Sequence, residues 1–400
     1  MKRYSRGKGL FIASFLFIAI LGWGSAQESI LGSYERNFTR AGLSTKADIL
    51  RDAATDSRAP EFIGDLYEFA LVFALQNAAL LPNDADMITI VGIAAQGAGT
   101  SDHKASLDTL WKLFSAYRDP QTRTQILSSL AVLGKENDQV IANLNQFLAN
   151  QNSMYRFSMD LDFVTLLACI SALGNLGDKA SFPVLFSAII AGYPKDITAE
   201  VEKALDRIDG DYFQFLVGVI RKNPPQEKLA ALRLGLQSAK LSPAERGGLA
   251  ETVLDEGLEL KPELPELDVV ASTLRSEAII ALGKLKWTRA TPLVVKYFYQ
   301  VQAEYQNKNV PRERLLETIV CLGAMESTEA AQTLALQLGY FNSQMERTGD
   351  FDEALTLEVV NALGKIGAKA AYDYLLYVSY LSYPEGIQAA AKAALDQLRW

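Results

Sequence analysis

Apolar residues recur three and four positions apart along most of the chain, and the whole pattern recurs at a longer interval. "ALGNLGDKASFPVLFSAII" begins at Ala172, "ALGKLKWTRATPLVVKYFY" at Ala281 and "ALGKIGAKAAYDYLLYV" at Ala362. Gly134, Gly174, Gly283, Gly323 and Gly364 each follow a leucine at the end of an apolar helical stretch, with spacings of 40, 109, 40 and 41 residues. Counted from the glycine, positions +8, +11, +12 and +15 carry Phe182, Leu185, Phe186 and Ile189 in one copy. The next copies give Thr291, Val294, Val295 and Phe298, then Ala331, Leu334, Ala335 and Leu338, then Tyr372, Leu375, Leu376 and Ser379. Such i, i+3, i+4, i+7 spacing places an apolar stripe on one face of a helix.

The 109-residue gap holds two degenerate copies. "ALDRIDGDYFQFLVGVI" at Ala204 has Asp206 in place of the first glycine, and "AALRLGLQSAKLSPAERGGLAETVL" at Ala230 is weaker. An earlier copy, "IVGIAAQGAG", starts at Ile90, and a cryptic one runs from Asp65 to Leu81, which makes about eight. A period near 40 residues signals stacked supersecondary units, here a first helix, a short turn and a second helix. The repeated glycine is expected at the end of the first helix in the left-handed conformation, a backbone role with no chemistry attached.

The residues of these copies resemble HEAT repeats, particularly the variety known from phycobilisome-lyase-type proteins. That pattern runs Ala-Leu-Gly, apolar, Gly, Asp, then a small-residue helix start and paired leucines. Leu173, Gly174, Leu176, Gly177, Asp178, Pro183 and Leu185 follow it, as do Leu363, Gly364, Ile366, Gly367 and Leu375. Lys286-Trp287 and Glu326-Ser327 depart from it where Gly-Asp belongs. Arg275 fits the Val-Arg pair that often opens the first helix, whereas another copy has Glu358 there. The resemblance spans roughly residues 60 to 400. It implies an all-α fold, a right-handed α-solenoid of about eight stacked helix-turn-helix repeats, with second helices lining the inner face. "AAAKAALDQLRW" suits the capping unit that such an array needs.

The first 26 residues break the pattern. Lys2, Arg3, Arg6 and Lys8, then apolar Leu10 to Leu21, then Gly24-Ser25-Ala26 form an export signal cleaved after Ala26. The apolar run is shorter than the roughly 20 residues of a membrane span, so membrane association is expected only if the segment stays uncleaved. Residues 27–59 are a more polar lead-in, and 60–400 the repeat array. Cleavage takes away four basic side chains and no acidic one, moving the formal charge from −8 to −12. Nucleic acid is not an expected partner of so acidic a chain, because phosphate binding needs clustered Lys and Arg.

No catalytic constellation stands out, and neither a cofactor nor a metal is expected. The single histidine, His103, is expected as an exposed residue at a helix start. "GIAAQGAG" follows no strand, lacks the Gly-Lys-Ser/Thr of a phosphate loop and is expected to be an inter-helix turn. Asp160 with Asp162, Asp209 with Asp211, and Asp350, Asp352 and Glu353 suit helix N-termini better than a calcium loop. Cys169 and Cys321 are expected as buried, unpaired small hydrophobes.

Surface remains. Positions +13 and +16 flank the buried stripe of the second helix and give Lys296 and Tyr299, then Tyr377 and Tyr380, as candidate partner contacts. Amphipathic aromatics bury large areas at little entropic cost. Four long connections, including "ANQNSMYRFSMDLD" and "GYFNSQMERTGDFDEA", exceed ordinary helix-to-helix lengths and serve as partner-contacting edges or as tolerated insertions. Together these features lead to an exported, non-enzymatic scaffold, periplasmic or otherwise in the cell envelope, that binds a protein or peptide. The alternatives are a self-assembling envelope protein and, suggested only by the repeat variety, a lyase-type enzyme.

Overall fold

A computed structural model describes residues 30–57, 62–261 and 264–399. The expected export signal lies outside these residues. Among them the fold is all-α, with twenty α-helices, no strand and one isolated bridge between Ala368 and Arg399. No described helix is long and apolar enough to cross a membrane.

The chain divides into two compact units between Gly210 and Asp211. The first holds α1 (30–40), α2 (Leu43–Thr55), α3 (Ile63–Asn77), α4 (Ala85–Thr100), α5 (Leu107–Ala116), α6 (Pro120–Leu133), α7 (Asp138–Arg156), α8 (Phe163–Leu176), α9 (Phe182–Ala191) and α10 (Lys195–Arg207). The second holds α11 (Tyr212–Lys222), α12 (Pro225–Gln237), α13 (Pro243–Glu259), α14 (Pro265–Leu285), α15 (Thr291–Gln306), α16 (Arg312–Met325), α17 (Thr328–Thr348), α18 (Glu353–Ile366), α19 (Tyr372–Val378) and α20 (Glu385–Asp396). In each unit every even-numbered helix packs on the next even-numbered one, and from α4 to α10 and from α12 to α20 each also packs on the odd-numbered helix before it. Counted as a first helix, a turn and a second helix, this solenoid-like stack holds four helical pairs per unit, α2–α3 to α8–α9 and α12–α13 to α18–α19, each second helix packing mainly on the first helix of the next pair. The copy at Ala204 falls on α10 and α11, which belong to different units.

Of the five repeated glycines Gly134 ends its helix as expected, though at φ −82° and so not left-handed, and the other four have another role. Gly174, Gly283, Gly323 and Gly364 lie inside their helices and mark where one even helix touches the next. A Cβ on Gly174 would lie 2.8 Å from Ala204 Cα, on Gly283 3.2 Å from Cys321 Cα, and on Gly323 2.8 Å from Ala362 Cβ. Each contacted residue is the small residue before a leucine, Ala204, Cys321 or Ala362, and where a glycine follows that leucine, as at Gly323 and Gly364, the small-Leu-Gly triplet presents a notch to the helix on either side. Because equivalent positions meet, the even helices of each unit run parallel. The left-handed slot falls three residues later, at Asp102, Gly177, Lys286, Glu326 and Gly367, with φ of 51°, 70°, 49°, 51° and 69°. A short 3₁₀ turn follows four of these slots and ends on Ser106, Ser181, Ala290 or Ala371, all fully buried. "GIAAQGAG" is likewise no turn: it lies within α4, where Cβ atoms on Gly92 and Gly97 would strike Gln125 and Tyr67.

Basic side chains close the opposite turns. Arg123 of α6 donates to the Tyr117 carbonyl (2.8 Å) at the end of α5, and Arg275 of α14 to the Gly257 carbonyl (3.2 Å) near the end of α13. Lys46 and Lys228 reach the carbonyls of Phe38 and Ile220 in the same way. Carbonyls at helix C-termini lack intrahelical donors, so these contacts satisfy them while joining one pair to the next. At the N-termini Asp162, Asp211 and Asp352 accept from backbone N–H groups, as capping requires.

Two further features lie apart from the expected layout. Residues of the polar lead-in form α1 and α2: Phe38 packs edge-on to Phe69 and Phe73 of α3, and α2 packs on α4. Two of the long connections prolong helices. α7, which holds neither glycine nor proline, runs for 19 residues, and α17 runs for 21 to its left-handed cap at Gly349, whereas α9 has 10 and α19 has 7.

Both units end on one motif. Residues 173–209 and 363–399 align without a gap at an offset of 190. The Gly177 carbonyl accepts from Asp209 N–H (2.6 Å) and the Gly367 carbonyl from Arg399 N–H (2.8 Å). Buried Asn152 and Asn342 donate to the carbonyls of Val184 (3.1 Å) and Tyr374 (3.0 Å), tying α7 to α9 and α17 to α19. Burial pushes the phenols of the matching Tyr193 and Tyr383 up to about 12.

Candidate interaction face

α15 follows the 3₁₀ turn Thr288–Ala290 and buries Thr291, Val294, Tyr297, Phe298 and Val301 against its neighbours. That burial fixes which side chains stand clear. Lys296 and Tyr299 point away from the buried stripe, and Lys296 Nζ meets Glu259 Oε1 of α13 at 2.9 Å. The contact lowers the carboxyl and raises the amine from their ordinary values through the hydrogen bond first and charge second. Tyr299 is 48% exposed, its ring edge-on to Phe298 at 5.5 Å.

α19 repeats the arrangement. Tyr377 Oη donates to Glu346 Oε1 of α17 (2.9 Å), which raises the phenol's pKa, and Tyr380, 73% exposed, stands in the turn just beyond the helix. In both repeats the +13 side chain reaches a carboxylate near the end of the preceding odd helix.

The intervening α17 supplies what the sequence reading omitted. Its +13 residue is Leu336, 59% exposed, and Tyr340, one residue beyond +16, is also exposed with its hydroxyl accepting from Gln344 (3.0 Å). α13 packs on α15, α15 on α17 and α17 on α19, so these side chains form one row across successive odd helices of the second unit. The signal was available: Leu336 occupies the same register as Lys296 and Tyr377. The row combines apolar area with polar tips, of which those of Tyr340 and Tyr377 are bonded to an amide and a carboxylate of α17. It can take up area from a partner and hydrogen-bond it, and it holds no set of groups arranged for bond breaking.

Among the described residues, one arrangement that resembles a catalytic triad is in the first unit. His103 Nε2 lies 3.1 Å from Asp65 Oδ1 and Nδ1 lies 3.0 Å from Ser106 Oγ. The histidine stands at a helix start, as expected, just before the 3₁₀ turn that leads into α5, but it is largely covered rather than exposed, wedged against Gly64, where a Cβ would lie 2.6 Å from its ring. Ser106 is fully buried. A hydroxyl with no exposed surface has no route to a substrate, so the cluster ties α3 to the turn before α5. Cys169 and Cys321 are buried free thiols, pushed up by desolvation, the second to about 12. Among the described residues no group of three His, Cys, Asp or Glu side chains converges to hold a metal.

No protein-family model matches the chain, and no curated protein matches it.

Proposed function

We propose that this protein is a non-catalytic scaffold of the cell envelope that holds a protein or peptide partner along the odd-helix face of its second unit. The observation that carries the proposal is the row Tyr299, Leu336, Tyr340 and Tyr377 on three consecutive odd helices, with Tyr380 in the turn after the last. Tyrosine loses little conformational freedom on binding and combines apolar area with a hydrogen-bonding tip, which makes it a preferred anchor at protein interfaces. Stacked repeats extend such a surface in one dimension and suit an elongated partner. The amino-terminal basic and apolar pattern supports export.

The test is capture from an envelope extract of the source cell by immobilised residues 27–400, with retained proteins identified by mass spectrometry. A reproducible partner should be lost when Tyr299, Tyr377 and Tyr380 are all changed to alanine. A partner retained by the triple variant with unchanged affinity removes this face from the function.

A further inference from the structure

The even helices of the second unit carry a second surface of different chemistry. Between α14 and α16 runs a groove of about 490 Å³ floored by Ile280, Leu316, Val320 and Ala324. Ile280 and Val320 stand three residues before Gly283 and Gly323, so they are equivalent positions on neighbouring helices, 37% and 49% exposed. At that position α8 has Ser171 and α18 has Asn361. The apolar pair is thus confined to two adjacent repeats and is no requirement of the fold. A second depression of about 380 Å³, between α12 and α14, shares Ile280 and adds Leu236 and Leu285.

The charges at the groove have a direction. Lys284 and Lys365 line its end at the helix C-termini, and Glu313 lines its end at the N-terminus of α16. Among the described residues none of these three forms an ion pair. The remaining carboxylates are occupied: Glu317 accepts from Ser276 (2.6 Å) and Arg314 (3.3 Å), and Glu277 from Arg233 (2.6 Å). A lysine in a last turn answers its own helix dipole, but the dipole does not call for bare isoleucine and valine beside two such lysines. The result is an apolar trough about 21 Å long, from the 14 residues of α16, with unpaired cations at one end and an unpaired anion at the other.

We propose that this groove docks an amphipathic helix of a partner protein, lying antiparallel to α14 and α16, with an acidic first turn against Lys284 and Lys365 and a basic last turn against Glu313. Apolar side chains at i, i+3, i+4 and i+7 of that helix fill the trough between Ile280 and Val320, the usual way an exposed groove takes a helix. Acidic residues favour a helix N-terminus and basic ones a C-terminus, so the polarity of the groove selects the orientation. Antiparallel placement also opposes the dipole of the incoming helix to those of α14 and α16. The surface lies on a different layer of helices from the tyrosine row and does not depend on it.

The test uses the full chain and two fluorescein-labelled 16-residue peptides of equal composition, each with leucine at i, i+3, i+4, i+7 and i+11. One has glutamates in its first turn and lysines in its last, and the other has them exchanged. By fluorescence anisotropy the first peptide should bind at least tenfold more tightly, the scale of several exposed charge contacts acting together. The K284E/K365E variant should erase or invert that preference, Val320→Asp should abolish binding of both peptides, and the Tyr299, Tyr377 and Tyr380 triple alanine variant should bind as the parent does. Should Val320→Asp lose its far-UV circular dichroism, the lysine pair carries the test, because both side chains are exposed and unpaired. Failure of both peptides to bind, equal binding of the two, or indifference to K284E/K365E overturns the proposal. A dimer seen by sedimentation and broken by Val320→Asp overturns it too, in favour of a second copy of this chain.

Discussion

Adding one methyl group at Gly364 tests the packing rule on which the stack is built. The new Cβ would lie 2.9 Å from Ala394 Cβ and 3.0 Å from Ala394 Cα, whereas carbon atoms in good contact sit about 3.5–4.0 Å apart. α18 and α20 must therefore separate by about 0.5–1 Å, and a gap of that size forfeits about a quarter to a half of each dispersion contact along the seam. Overpacking of this kind costs about 1–3 kcal/mol, offset by the roughly 0.5–1 kcal/mol that alanine gains over glycine inside a helix. Gly364→Ala should then destabilise by about 0.5–2 kcal/mol. Gly218→Ala in α11 is the control, since a Cβ there meets nothing within 4 Å and should stabilise by about 0.5–1 kcal/mol. Urea unfolding followed by circular dichroism reads both as midpoint shifts of opposite sign. The double variant with Ala394→Gly should recover part of the loss, giving a favourable coupling of about 0.5 kcal/mol or more. If Gly364→Ala raises the midpoint as Gly218→Ala does, the glycine is not a notch and the parallel contact of even helices is misread.

Glu326, at φ 51°, fills the slot that Gly367 takes at φ 69°, so Glu326→Gly should stabilise by about 0.5 kcal/mol once the extra chain entropy of glycine is counted; a lower urea midpoint contradicts this. Arg275→Met leaves the Gly257 carbonyl without its donor and should cost about 1–3 kcal/mol in the same assay, whereas an unchanged midpoint would mean the contact is incidental. Glu245 is held below the usual carboxylate range by hydrogen bonds from the Ser242 side chain and backbone. A depressed folded value stabilises above the unfolded pKa and fades as pH falls through the folded one, so the destabilisation caused by Ser242→Ala should be present at pH 7 and shrink on acidification below about pH 4. The thiols of Cys169 and Cys321 are buried and pushed up, and thiolate is the reactive form. Neither should react with a disulfide reagent at pH 8 in the folded protein, and both should titrate in guanidinium.

The parts of the fold legible in sequence were those repeated in one-letter form. The Leu-Gly pairs and the i, i+3, i+4, i+7 stripes predicted helical pairs, and helices stand at those positions. The role of the glycine was not legible, because a notch and a helix end call for the same residue. Only the contacts of Ala204, Cys321, Ala362 and Ala394 separate the two. The left-handed slot was visible where Gly177 and Gly367 occupy it and hidden where Asp102, Lys286 and Glu326 do, since a side chain conceals the constraint. Long polar stretches read as loops because polarity was taken for exposure. Asn152 and Asn342 show the error, being polar residues that are buried and bonded to carbonyls. Lys296, Tyr299, Tyr377 and Tyr380 were found by register alone, and applying the same register to α17 adds Leu336. The groove between α14 and α16 lay beyond reach, for it depends on which face of an even helix its neighbours leave uncovered.

Hydrogen exchange of residues 27–400, alone and with the captured partner, tests the scaffold account most directly. The account predicts slowed exchange in α15, α17 and α19, strongest in their segments around Tyr299, Tyr340 and Tyr377, with the first unit unchanged. Protection confined to the first unit, or none on the odd helices of the second, would contradict it.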